Sequence, residues 1–154
     1  MPFLNKDVIK ENLFETVGWK NSIAWSKKLS VASNKILLDF AERLASTGFN
    51  FIMESNFGQE FNLQLKKLGV KYGHSLIQVN FNCEFDILKK RFENRWKKGK
   101  RHPGHIDNKH FNKFDEVFDK YSKPLDVGGP VIKVDTTDFR KVNYSEVFNK
   151  INKL

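Results

Sequence analysis

Four short apolar runs separated by long stretches of helical periodicity place the strongest limit on what this chain can fold into. The runs fall at residues 2–4, 49–53, 74–81 and 131–134. Each is too short for a buried helix and is bounded by glycine or polar residues, which suits a strand buried on both faces. Between and after them, apolar residues recur at a spacing of three to four: Ile9, Leu13, Phe14 and Val17 before Gly18, then Leu37, Phe40, Ala41 and Leu44 before Gly48. The spacing predicts helices over 6–17, 21–47, 59–68, 84–98, 111–121 and 144–151, with Ser30 able to start a second helix within 21–47. Strands joined through helices of ten or more residues need crossover connections. The expected fold is therefore α/β, a three-layer parallel sheet with flanking helices.

At 154 residues and 40% hydrophobic content the chain suits one domain spanning 1–154. No repeats or low-complexity tracts interrupt it, and the stretches 97–108 and 124–130 read as loops within the domain. The formal net charge of +9 favours anionic partners: nucleotide, phosphorylated metabolite, nucleic acid or an anionic surface. Cys83 is the single cysteine, which excludes an intramolecular disulfide and fits a reducing cytoplasm. No apolar run approaches about 18 residues and no leader pattern opens the chain, so a cytoplasmic protein without membrane contact is expected.

In an open parallel sheet, ligands bind beyond the carboxyl ends of the strands. Polar residues stand there: Lys6, Asp7 and Lys10 after the first run, Glu54, Ser55 and Asn56 after the second, Asp135, Thr136 and Thr137 after the last. Arg91 and Arg95 are four residues apart on the basic helix and project from one face.

In that order, Pro2-Phe3-Leu4-Asn5-Lys6-Asp7-Val8-Ile9-Lys10-Glu11, Ile52-Met53-Glu54-Ser55-Asn56-Phe57, and Arg91, Arg95 with Arg101-His102-Pro103-Gly104-His105 carry a resemblance. They are similar to the second-strand, third-strand and lid segments of small P-loop kinases, AAA-type ATP-binding proteins of the zeta-toxin, chloramphenicol-phosphotransferase and polynucleotide-kinase kind. The likeness runs over nearly the whole chain and implies a P-loop NTPase kinase-like fold with a lid at about 91–106. It implies a phosphotransferase that moves the γ-phosphate of ATP, with Mg²⁺, to a hydroxyl of a small molecule or nucleic-acid end. Asp7, Arg91 and Arg95 would be catalytic, Lys10, Glu54 and Asn56 would meet the acceptor, and Arg91, Arg95, Arg101 and Thr136 would bind nucleotide.

The sequence departs from the family in one respect. Gly-x-x-x-x-Gly-Lys-Ser/Thr, whose backbone amides cradle phosphate, occurs nowhere in it. The match starts at the family's second strand, so the first strand, the loop and its helix, roughly 25 residues, are expected to be absent and the chain inactive as written. The family's first strand lies between the third and fourth, so two unpaired strand edges are expected to close on one another or to accept a strand from a partner or another copy.

Simpler readings stand beside these. Asp7 could only stabilise a helix N-terminus, Glu54 could be an ordinary strand exit, Asn56 a turn former, and Arg91 and Arg95 part of a solvated face with Lys89, Lys90, Lys97 and Lys98. That face also suits a basic, non-catalytic nucleic-acid-binding module, although it shows no base-reading pattern. A remnant that works by docking to another chain is a third reading. His102, His105 and His110 lack the spacing of a helical metal pair, and no metal site is expected. Trp19, Trp25, Phe57 and most other aromatic residues are expected in the core.

Overall fold

A computed structural model describes residues 1–154. Strand β1 (Phe3–Asn5) runs directly into helix α1 (Lys6–Val17). Asn5 caps the helix by accepting the Val8 N–H at 2.9 Å. Helix α2 (Ile23–Ser46) begins at its cap Ser22 and continues unbroken through Ser30. No second helix starts there, because the Ser30 carbonyl accepts the Ser33 hydroxyl at 2.9 Å within the continuing helix. Strands β2 (Ile52–Glu54) and β3 (Gln78–Asn82) both start later than their apolar runs. β1 is three residues long and offers partners only from Ile52 onward, through the pairs Phe3 with Ile52, Leu4 with Met53 and Asn5 with Glu54. His74 instead places its ring against the Ala45 carbonyl at 3.0 Å, so the segment before β3 is a connector.

Helix α3 (Asn62–Tyr72) outlasts its expected end at 68 and stops at Gly73, in the left-handed region at φ 70°. Helix α4 (Phe85–Lys97) is followed by two short 3₁₀ turns, Pro103–His105 and Asp107–Lys113. Helix α5 (Phe114–Tyr121), strand β4 (Val131–Asp135) and helix α6 (Tyr144–Asn152) complete the chain.

The four strands do not form one sheet. β1 pairs with β2 and β3 with β4, both parallel, and no backbone ladder joins β2 to β3. This differs from the single parallel sheet expected. α2 presents Leu29, Leu37, Leu38, Ala41 and Ala45 as its buried side. Leu38 meets Leu65 of α3 and Val127, and Met53, Phe57, Phe61, Leu76 and Leu125 pack around these three. Met53 of β2 and the connectors leading into β3 and β4 thus share one apolar cluster. The 124–130 connection crosses it so closely that a Cβ on Gly129 would lie 1.7 Å from the Leu76 carbonyl oxygen, which leaves glycine as the residue that fits.

The aromatic residues are less buried than expected. Phe57 belongs to the core cluster and Phe14 is fully buried, whereas Trp19, Phe3, Phe40, Phe49, Phe81, Phe139 and Phe148 are exposed. Aromatic content reports capacity for burial, and several of these side chains stand at edges and faces that nothing in the chain covers. No helix is long and apolar enough to cross a membrane.

Candidate functional site

The segment after α4 lies down on α1. Asp7, Glu11 and Glu15 recur every four residues and so form one stripe along α1. Arg101 donates from Nη2 to Asp7 Oδ2 at 2.5 Å, His105 from Nε2 to Glu11 Oε1 at 2.9 Å, and His102 from Nε2 to Glu15 Oε1 at 2.8 Å. The other ring nitrogens set these tautomers. His102 Nδ1 accepts the Gly104 N–H at 2.9 Å, and His105 Nδ1 faces the Arg101 guanidinium, which can only donate, at 3.1 Å.

Phe14 lies beneath the strap. His102 stacks on it with centroids 4.8 Å apart at 16°, and His105 meets it edge-on at 5.3 Å and 88°. A Cβ on Gly104 would come within 2.9 Å of the Phe14 ring, so this contact requires glycine. Ile106 follows at φ 50°, a costly left-handed conformation for a β-branched residue, and is 1% exposed. Its burial holds it there and turns the chain so that Asp107 points back to the site.

The Asp107 side chain is 6% exposed and receives Arg95 Nη2 at 3.2 Å and Arg101 Nη1 at 3.4 Å. Arg101 thus bridges two carboxylates, Asp7 and Asp107. Burial alone would raise the Asp7 pKa, but the Arg101 and Lys6 charges outweigh it and hold the carboxyl below its ordinary range. Glu54 shifts the opposite way: loss of water first, then the Asp7 charge, raise it. His105 is pushed down to about 3 by burial first and Arg101 second, so it is a neutral, Nε2-protonated ring near pH 7.

Lys10 lies on α1 between these groups. It is 5% exposed, its Nζ donates to Ser26 Oγ at 3.0 Å, and burial lowers its pKa to about 8. Its folded pKa lies below the unfolded value, so the unfolded chain binds more protons between about pH 8 and the ordinary lysine value of 10.5. Folding stability should therefore rise through that window. Lys10→Met should be more stable than the wild type at pH 7, by on the order of 2 kcal/mol. Denaturant unfolding at pH 7 and pH 10 should show that advantage shrinking; an advantage independent of pH would mean the amine is not charged and buried at neutral pH.

Asp7, Lys10 and Arg101 are brought together at the carboxyl end of β1, with Arg95 joined to Arg101 through Asp107 and with Glu54 ending β2 beside them: its backbone pairs with Asn5 and it feels the Asp7 charge. Arg91 and Thr136 lie in a second cluster. Arg91 donates to the Thr136 and Thr137 carbonyls at 2.7 and 2.8 Å and to Cys83 Sγ at 3.3 Å, and packs over Phe139. Thr136 closes the end of the β3–β4 pair by donating its hydroxyl to the Asn82 carbonyl at 2.7 Å. Arg91 and Arg95 share a helix face in sequence but diverge at their tips. Asn56 is exposed. His102 and His105 are engaged with Glu15 and Glu11, and no group of three or more His, Cys, Asp or Glu side chains is placed to hold a metal.

Asp107, His105, Glu11, Glu15, Phe14 and Ser26 escape sequence reasoning as site residues. The four-residue recurrence of Asp7, Glu11 and Glu15 was a usable signal for a face that binds something basic. Nothing local marks Asp107, whose role comes from the turn at Ile106.

Parallel strand pairs with crossover helices and a basic strap closed over a carboxylate at a strand end define a mixed α/β protein of kinase-like shape. A putative kinase from Chloroflexus aurantiacus J-10-fl superimposes with a TM-score of 0.85 and 27% sequence identity, over 99% of this chain and 83% of that one. No family model matches the sequence, and no curated protein matches it.

Proposed function

We propose that the chain carries the acceptor side and lid of a P-loop kinase-like phosphotransferase. The observation that carries this is the ion pair of Arg101, from the segment after the basic helix, with Asp7 at the carboxyl end of β1, with Arg95 joined to Arg101 through the shared Asp107 carboxylate. The likeness to a putative kinase supports it at the level of the overall reaction.

In the proposed reaction the oxygen of an acceptor hydroxyl bonds to the γ-phosphorus of ATP as the bond to the β,γ-bridging oxygen breaks. The hydroxyl proton passes to Asp7 and ADP leaves. Asp7 is ionised and half-exposed, so it can accept a hydrogen bond from that hydroxyl and orient it. Arg95 and Arg101 would offset charge spreading over the transferred group. Glu54 and Lys10 would contact the acceptor, with Asn56 at the rim. Arg91 and Thr136 would support the nucleotide end by shaping the loop after β4. Magnesium would travel with the ATP phosphates, since the residues present do not build a magnesium site of their own.

None of the 154 residues supplies a phosphate cradle, so the chain by itself should bind ATP only weakly. Titration calorimetry with Mg²⁺ and ATP should give a dissociation constant above about 1 mM for the 154-residue chain. Joining a strand, phosphate-binding loop and helix ahead of Met1 should bring it into the micromolar range. Micromolar affinity of the chain alone that survives Arg91→Ala and Arg95→Ala would overturn the proposal.

A further inference from the structure

Residues 16–38 contain no Asp or Glu, although Lys20, Lys27, Lys28 and Lys35 fall within them. The stretch covers the end of α1, the connection 18–22 and most of α2. Lys10 of α1 reaches Ser26 of α2 at 3.0 Å, so the chain doubles back here and the connection is the outer corner of a helix pair.

That corner is apolar on its outside. Val17, Trp19 and Ile23 are 56%, 45% and 49% exposed, and Val31 is 63% exposed. Ile23, Lys27 and Val31 follow one another at intervals of four, so they extend the exposed stripe along one side of α2. The corner is held from within. Trp25 donates from Nε1 to the Gly18 carbonyl at 3.0 Å, and the Lys109 ammonium donates to the Asn21 carbonyl at 2.8 Å. Trp19 meets the His102 ring edge-to-face at 6.1 Å and otherwise faces outward.

Cations surround these side chains. Lys20 and Lys28 lie over the Trp25 ring at 4.7 and 5.8 Å, Lys27 precedes Lys28, and Lys109 stands at Asn21. None of these four lysines pairs with a carboxylate. The nearest carboxylates along the chain, Glu15 and Asp39, are engaged by His102 and Lys35.

We propose that this corner docks on an anionic phospholipid surface. Val17, Trp19 and Ile23 enter the headgroup layer, and Lys20, Lys27, Lys28 and Lys109 meet the lipid phosphates around them. The side chains suit that boundary: an indole has an apolar body and a polar N–H, and a lysine buries its stem while its ammonium stays at the phosphate level. Single-stranded nucleic acid would use the lysines but not the aliphatic side chains. Of the two indoles it would find only Trp19 open for stacking, because lysines already cover Trp25. A peptide would need a groove or a strand edge, and a projecting corner provides neither. Docking of this kind is peripheral and requires no spanning helix. It does not depend on the phosphotransfer reading.

Vesicle sedimentation of the full chain tests this, with phosphatidylcholine containing about 30% phosphatidylglycerol at about 0.1 M salt. The chain should sediment with these vesicles and stay in solution with pure phosphatidylcholine. Trp19→Ala should weaken binding at least about fivefold, and Lys27→Gln combined with Lys28→Gln at least about tenfold. Lys66→Gln combined with Lys67→Gln removes the same charge from exposed positions on α3 and should weaken it less than about threefold. Ile23→Ser reads the same apolar contact without touching the strap. Equal losses from the two double variants would reduce the binding to net charge and overturn the proposal. So would vesicle binding unchanged in both Trp19→Ala and Ile23→Ser. A fluorescent thymidine oligonucleotide supplies the last arm: its capture, lost in Trp19→Ala and without any vesicle binding, would give the corner to nucleic acid instead.

Discussion

Asp7→Asn lowers phosphoryl transfer by about 10²-fold or more in a form of the protein with a phosphate-binding loop joined ahead of Met1, chiefly in kcat. The substitution is isosteric and keeps a hydrogen-bonding oxygen, but removes the charge that accepts the hydroxyl proton. It also releases Arg101, which bridges Asp7 and Asp107. Asp107 should still hold the guanidinium, so the strap stays closed and KM for the acceptor moves less than kcat. Steady-state kinetics with a screened acceptor, together with denaturant unfolding of the same variant, separates the two effects. A near-wild-type rate from a folded Asp7→Asn protein would remove Asp7 from the proposed chemistry and leave it as an ion-pair partner for the lid.

Phe14→Ala should cost about 3 to 5 kcal/mol of folding stability, the larger of the two effects in energy. Phe14 is 1% exposed and is the surface on which His102, His105 and Gly104 rest. Removing the ring leaves a cavity beneath a strap whose remaining contacts to α1 are polar, and Ile106 would then lose part of the packing that holds its left-handed conformation. Two measurements check this. Urea unfolding should show the lower midpoint, and limited trypsin digestion should cut at Arg101 well before the rest of the chain. Phe14→Leu, which keeps most of the volume, should lose less than half as much. A Phe14→Ala protein with wild-type stability and an uncut strap would show that the ion pairs alone hold the lid.

Much of this protein was legible from residue order. The alternation of apolar runs and helical periodicity placed four strands and six helices in the right order, because burial pattern and local propensity agreed along most of the chain. Gly18 marked the end of the first helix for a local reason that needs no distant partner. Asp7 could be named from its place after the first apolar run, and Arg101 from the resemblance of its segment to a kinase lid.

Tertiary structure decided what those local rules leave open. Strand length was set by the partner: β2 is three residues long because β1 is. Arg91 and Arg95 have equivalent positions in sequence, yet one is held by the Thr136 and Thr137 carbonyls and the other by Asp107. The pairing of Asp7 with Arg101 joins residues 94 apart, and the bend at Ile106 that brings Asp107 behind them is stable only because that side chain is buried. Whether the strands form one sheet or two was likewise beyond the sequence pattern. A strand's periodicity reports which faces are buried, whereas its edges are satisfied by whichever backbone lies alongside.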